Sequence, residues 1–309
     1  MINFRFHLVS LTGIFLALGI GIAVGATVVD RATVDALQSR LDGVERRVDA
    51  TDRENEALRR DVERWAAFAK QGGDAAVAGR LENVPVMVLG VRGIDRAPVD
   101  ELRQDLGAAG AQLSGTVWFT SKFRLEKPED VAQLAEIVGV TPRGAASVRR
   151  NALAQITADL AADPSSGLLV ALRDAGFVDF EEPLGAPVDL TTVPVAGSRF
   201  VVVSGPGGEV ADGDLAVPLA EQLSRSARAR VLAVEAGREA RGDVPESRAV
   251  FVGPLRADES LAGLLSSVDN LEDFRGRFAA VYALRDLGNG KVGHFGVGPG
   301  ASGLAPESA

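Results

Sequence analysis

The sequence predicts an α/β protein: an N-terminal transmembrane helix and a coiled-coil stalk, followed by a three-layer, mostly parallel-sheet, Rossmann-like domain. Three observations predict it. A charge-free apolar run lies near the amino terminus, a strict three-and-four alternation of apolar residues follows, and from Val84 onward short apolar runs alternate with amphipathic stretches. The expected segments are an anchor or signal peptide over residues 1–30, a coiled coil over 31–72, a globular domain over 84–300 and a disordered tail over 301–309.

From Leu8 to Val29 no residue is charged. At about 1.5 Å per helical residue this run spans roughly 33 Å, close to the hydrocarbon thickness of a bilayer. Arg5 precedes the run and Asp30 follows it, so the positive-inside rule places the amino terminus in the cytoplasm and everything after Asp30 outside. Ala23-Val24-Gly25 also fits a signal-peptide cleavage site, and either reading exports the domain. Ala17, Gly21 and Gly25 recur every four residues, the spacing that lets two membrane helices approach closely; Gly is also simply common in such helices.

The stalk register runs through Val34, Leu37, Leu41, Val44, Val48, Thr51, Asn55, Leu58, Val62, Trp65 and Ala69, with charged residues such as Arg40, Glu45, Arg47, Asp52, Glu54 and Arg59 between them. This is the a/d pattern of a coiled coil, and Asn55 at an a position favours a parallel homodimer in which the two Asn side chains satisfy each other. The competing reading is a long amphipathic helix folded back on the domain, although a strict a/d stripe is narrower than core-facing helices carry. Gln71-Gly72-Gly73 is expected to end the helix. A fully helical stalk is roughly 50 to 60 Å long.

Beyond Val84, buried strands are expected at Val86 to Val91, Ala111 to Phe119, Phe200 to Ser204, Arg230 to Val234 and Leu264 to Val268. Helices are expected at Pro98 to Ala109, Leu215 to Arg228 and Phe274 to Leu287, with the middle from Pro128 to Gly176 helical throughout. In an open α/β sheet, ligands bind beyond the carboxyl ends of the strands. The polar residues placed there are Arg92, Ser204, Glu235, Asp269 and Asn270. Each also has a local structural role available: Ser204 precedes a turn, and Asp269 with Asn270 opens a helix.

Composition narrows the chemistry. Lys and Arg number 33 against 42 Asp and Glu, a formal charge of −9, which disfavours nucleic acid as a partner. Cys is absent, which removes disulfides, thiolate nucleophiles and Cys-based metal sites. His7 and His294 are the only imidazoles, so a histidine-rich cage within one chain is excluded. Gly205-Pro206-Gly207-Gly208 fits neither the dinucleotide fingerprint nor the P-loop and reads as a turn. Gly288-Asn289-Gly290-Lys291 is followed by Val292 where a P-loop requires Ser or Thr. No nucleophile elbow is present and His294 has no Ser or Asp partner by spacing, so no enzyme is expected. As a metal ligand, His294 is the single candidate, for copper or zinc; an ordinary hydrogen-bonded or surface role competes with it.

The opening Met1-Ile2-Asn3-Phe4-Arg5-Phe6-His7-Leu8-Val9-Ser10-Leu11, the run through Thr27 to Arg31, the stalk, and the late segments Val268-Asp269-Asn270 and Gly293-His294-Phe295-Gly296 resemble the actinobacterial copper transport outer membrane protein family (mycobacterial copper transport protein B) over nearly the whole chain. The resemblance implies an outer-membrane or cell-envelope protein of copper efflux and copper tolerance, acting as a channel component, with copper as the transported or bound species. A barrel pore needs repeated alternating segments that this sequence lacks, so a pore would take an oligomer or envelope partners. With Met1 and Met87 the only methionines, soft ligands for Cu(I) are scarce. A second function class therefore stands beside transport: a non-catalytic, membrane-tethered coiled-coil scaffold or sensor that acts through protein partners.

Overall fold

A computed structural model describes residues 4–162, 167–183, 187–226, 230–237 and 249–307, without the side chains of 26–33, 65, 66, 68–71 and 74. It divides into two compact units, Met1–Ala67 and Phe68–Ala309. The described residues of the first unit belong to helix α1 (Phe4–Val77), whose last turns lie in the second unit. Within it, Phe4–Gly25 has a mean hydropathy of 2.2 over its most apolar window and is long and apolar enough to cross a membrane. Asp30, Trp65 and Ala69 of the expected pattern lie outside the described side chains. The described apolar members of the heptad stripe, from Val34 to Val62, are each 52% to 67% exposed.

The second unit is built on seven strands: β1 (Pro85–Val91), β2 (Gln112–Phe119), β3 (Val178–Glu181), β4 (Arg199–Ser204), β5 (Arg230–Glu235), β6 (Ser266–Val268) and β7 (His294–Phe295). Their order across the sheet is β3-β2-β1-β4-β5-β6-β7, and all neighbours pair in parallel except β2 with β3. The central strands read as near-continuous apolar runs because both faces are covered. On one face lie α3 (Pro128–Ile137), α4 (Ala145–Ala161), α5 (Leu168–Asp174), α6 (Ala216–Arg225) and α7 (Val252–Ala257), packing Leu134, Ile156, Leu172, Leu219 and Leu255 against Met87, Leu89, Val202 and Ala233. On the other lie α2 (Ala97–Ala108), α9 (Phe274–Gly288) and the end of α1, packing Leu102, Leu106, Ala280, Leu284 and Val77 against Val86, Val88, Val201 and Val234. A four-residue helix, α8 (Glu259–Ala262), links α7 to β6.

Three details depart from the sequence reading. Helix α1 does not stop at Gln71-Gly72-Gly73 but continues to Val77, because Gly73 is a packing surface. A Cβ there would lie 2.4 Å from the Phe274 ring of α9, and the Tyr282 hydroxyl donates to the Ala76 carbonyl at 3.1 Å. The middle region is three helices with breaks between them, and it is followed by the antiparallel edge strand β3. Arg96 and Arg103 hold that strand at Glu181, at 2.7 Å and 2.5 Å, and the Trp118 indole N–H donates to the same carboxylate at 3.0 Å. Burial raises the Glu181 pKa, but these bonds and the two arginine charges outweigh it and hold the group below its ordinary range. Finally, the chain past Gly300 is not loose at its start: Gly296 N–H donates to the Gly303 carbonyl at 2.9 Å, and the Ser302 hydroxyl donates to the His294 carbonyl at 2.8 Å.

Candidate functional site at the carboxyl ends of the strands

The sheet order reverses between β1 and β4, so the crevice beyond their carboxyl ends is where this architecture places a ligand. Here the crevice is occupied by the protein's own chain. Gly205 to Gly208 form a turn closed by Gly208 N–H to the Gly205 carbonyl at 3.2 Å, and Glu209 N–H then donates to the Arg92 carbonyl at 2.6 Å. Gly93 makes this possible: its φ of +95° suits glycine, and a Cβ would lie 2.4 Å from the Gly207 carbonyl oxygen.

The five residues expected at this edge do stand at successive strand ends, yet four of them turn to internal partners. Arg92 reaches sideways to Asp179 at 2.9 Å and lies over the Trp118 ring, 5.3 Å from its centroid. Buried Ser204 donates to Asp212 and thereby ties β4 to the turn that precedes α6. Burial pushes Asp212 above the ordinary carboxylate range against the opposing Ser204 bond. Buried Glu235 accepts three backbone N–H groups at the entry to α7, from Val250 at 3.1 Å, Phe251 at 2.8 Å and Val252 at 3.2 Å. Burial raises the Glu235 pKa, the three N–H bonds oppose it, and the Asp212 charge adds to the rise.

Asp269 is fully buried and forms an ion pair with buried Arg256 at 2.5 Å. Its two oxygens also accept Val297 N–H at 2.8 Å and Gly298 N–H at 2.9 Å. Arg256 spends its remaining donors on Ser267 Oγ at 2.8 Å, the Phe295 carbonyl at 2.7 Å and the Pro299 carbonyl at 3.1 Å. Gly296, at φ +125°, lets the chain wrap this closely, since a Cβ there would meet Asp269 Oδ1 at 2.1 Å. Asn270 differs from the others: it is 1% exposed, and neither amide atom has a hydrogen-bond partner among the described residues.

His294 enters the same knot through its ring. Nε2 lies 3.0 Å from the Ala262 carbonyl, which can only accept, so Nε2 carries the proton and Nδ1 accepts the Ser267 hydroxyl at 2.8 Å. A donor chain thus runs from Arg256 through Ser267 and His294 to Ala262. Burial pushes the His294 pKa down, the Ala262 bond opposes it, and the Arg256 charge adds to the fall. With both nitrogens engaged, the ring must release one bond before it binds a metal ion. Among the described residues no group of three or more His, Cys, Asp or Glu side chains is placed to hold one.

The sequence reading missed Arg256, the hub of this knot. An arginine between Leu255 and Ala257 carries no local signal of burial, because its partners lie 11 to 43 positions away. The pairing of β6 with β7, Ser267 with His294 and Val268 with Phe295, brings together the two late segments that carried the family resemblance.

Comparison with known proteins agrees with that resemblance. A family model described as copper transport outer membrane protein, MctB, matches residues 1–306. The copper transporter MctB of Mycobacterium tuberculosis (strain ATCC 25618 / H37Rv) is 27% identical over 319 residues, covering 97% of this chain and 98% of the relative. That of Mycobacterium leprae (strain TN) is 28% identical over 327 residues, covering 98% and 99%. The match takes in the apolar helix, the sheet and the buried knot alike, and the chain belongs to the MctB family of copper transport outer membrane proteins.

Proposed function

We propose that this chain serves copper efflux and copper tolerance in the cell envelope, with its amino terminus in the cytoplasm, its Phe4–Gly25 helix in a membrane and its α/β domain outside. One observation carries the reading: the family match extends over residues 1–306, and the relatives it aligns with end to end are named copper transporters. One apolar helix cannot by itself enclose a pore, since a path through hydrocarbon requires a bundle or a closed barrel. On this reading several copies act together as an oligomeric channel component, joined through a coiled coil in the stalk, and copper is cargo. His294 is the candidate point of contact for copper in the domain, reached by exchange of its Ser267 or Ala262 bond.

A second reading is favoured by the filled crevice between β1 and β4. The sheet is mostly parallel with seven strands, but the position beyond the ends of β1 and β4 is taken by the turn at Gly205 to Gly208, and Arg92, Ser204, Glu235 and Asp269 are committed internally. This combination suits a scaffold or sensor whose working surfaces are its stalk and its exterior.

Copper accumulation separates the two. A strain lacking the chain should retain more copper and grow less well in copper-supplemented medium, and the wild-type chain should restore both. Restoration by His294→Ala as well would remove that residue from the copper path while leaving the transport reading intact. Unchanged copper content in the deletion strain would move the assignment to the scaffold.

A further inference from the structure

The stalk's exposed apolar stripe is flanked by a pattern of charge that the apolar spacing alone does not require. With Val34, Leu41, Val48, Asn55 and Val62 at a and Leu37, Val44, Thr51 and Leu58 at d, the g positions are Arg40, Arg47, Glu54 and Asp61, and the e positions Gln38, Glu45, Asp52 and Arg59. In a parallel two-stranded coil a g residue meets the partner's e residue five positions further on. The contacts between two charged residues are Arg40 with Glu45, Arg47 with Asp52, and Glu54 with Arg59, each occurring twice. All are attractive, and the sign reverses between the second and the third.

We propose that the stalk is a charge-coded, parallel, in-register homodimerisation surface, its occupant a second copy of this chain. The inference deepens the self-association reading above and rests on it. Alternative pairings are weaker at named residues. Sliding one chain by a heptad sets Arg47 against Arg59 and Asp52 against Glu54. Turning it antiparallel, with Val48 opposite Thr51, sets Glu45 against Asp52, offsetting part of the attraction of Arg47 with Glu54 and Arg40 with Asp61, and leaves Asn55 facing Val44 instead of another Asn. Val at three of the five a positions with Leu at two of the d positions favours two strands over three. The six charges of the parallel contacts are also available: among the described residues the stalk's ion pairs are Arg60 with Glu56 and Arg64 with Asp61, neither of which uses them.

The test uses the full-length chain in detergent. Because the chain contains no cysteine, Val48→Cys introduces a single thiol, and mild oxidation should join Val48→Cys chains to each other as a disulfide-linked dimer. Cross-linking only between Val48→Cys and Thr51→Cys chains would overturn the parallel arrangement. A trimeric mass would overturn the two-stranded one. Charge is tested with two double variants: Glu45→Lys with Asp52→Lys, and Arg40→Glu with Arg47→Glu. Each alone should lower self-association by roughly one to two orders of magnitude at low salt, since four contacts turn repulsive. Their mixture should restore a one-to-one heterodimer with all six contacts attractive. A wild-type dimer indifferent to both reversals would sink the charge code but leave self-association standing, whereas a monomeric wild-type chain would sink both.

Discussion

The stalk and the β6–β7 knot treat their side chains in opposite ways. In the knot, groups with binding chemistry are spent on the protein itself: Arg256 and Asp269 neutralise each other, and His294 has both ring nitrogens engaged. In the stalk, side chains with no chemistry beyond size and charge are left open, with Leu41 and Val62 each 67% exposed. The lesson is that capacity to interact is read from what the fold leaves unused. A cluster of Arg, Asp, Ser and His looks like a site, yet here it is a clasp, while a row of Val and Leu on one helix retains its free energy of burial.

The sharpest break of this comparison is at the clasp. Asp269→Asn leaves Arg256 as an uncompensated buried charge, and removing one partner of such a pair costs about 3 to 5 kcal/mol. Urea unfolding of the full-length chain should show that loss in the transition of the α/β unit. A loss below about 1 kcal/mol would mean that water reaches the pair and that the knot is not a dry structural element.

A smaller effect is expected at the end of helix α1 that lies in the second unit. Gly73→Val places new atoms against the Phe274 ring, and overpacking of this kind costs roughly 1 to 3 kcal/mol. The change should lower the midpoint of the same transition without altering cross-linking at Val48→Cys, because the two positions lie in different units. Loss of the cross-link alongside the midpoint would show that dimerisation depends on this packing.

How much was legible beforehand follows the range of the interactions. The apolar helix, the strands at Val86 and Phe200 and the helix at Phe274 each announce themselves within a few residues, through apolar runs or periodicity. The helix end at Gln71-Gly72-Gly73 was misread because a glycine that admits an aromatic ring and a glycine that stops a helix have the same letter. The edge strand β3 was missed because it is four residues long and is held by Arg96 and Arg103 from about eighty positions away in sequence. The candidate site was half legible. Its residues stand at strand ends as topology places them, but their partners, Asp212, Arg256 and the backbone at the start of α7, come from segments that sequence spacing does not bring together.

The mildest prediction concerns pH and tests whether His294 belongs to the clasp. Its folded-state pKa lies below the ordinary imidazole value, through burial first and the Arg256 charge in addition, so the unfolded chain takes up this proton first as the solution is acidified. The contribution of His294 to stability is therefore complete above the ordinary imidazole range and is lost as pH falls through it toward the folded-state pKa. Glu235 and Asp212 act with the opposite sign, because their raised pKa values stabilise the acid side and that contribution is lost as pH rises. Their effect cancels when the wild-type chain is compared at each pH with His294→Asn, which keeps an acceptor for Ser267 and does not titrate. The difference in unfolding midpoint between the two proteins should then be largest near pH 7.5 and shrink toward pH 5.5. A difference that stays constant across that range would mean that the imidazole is free to protonate in the folded chain, which would return a lone pair at His294 to the list of groups that copper can reach.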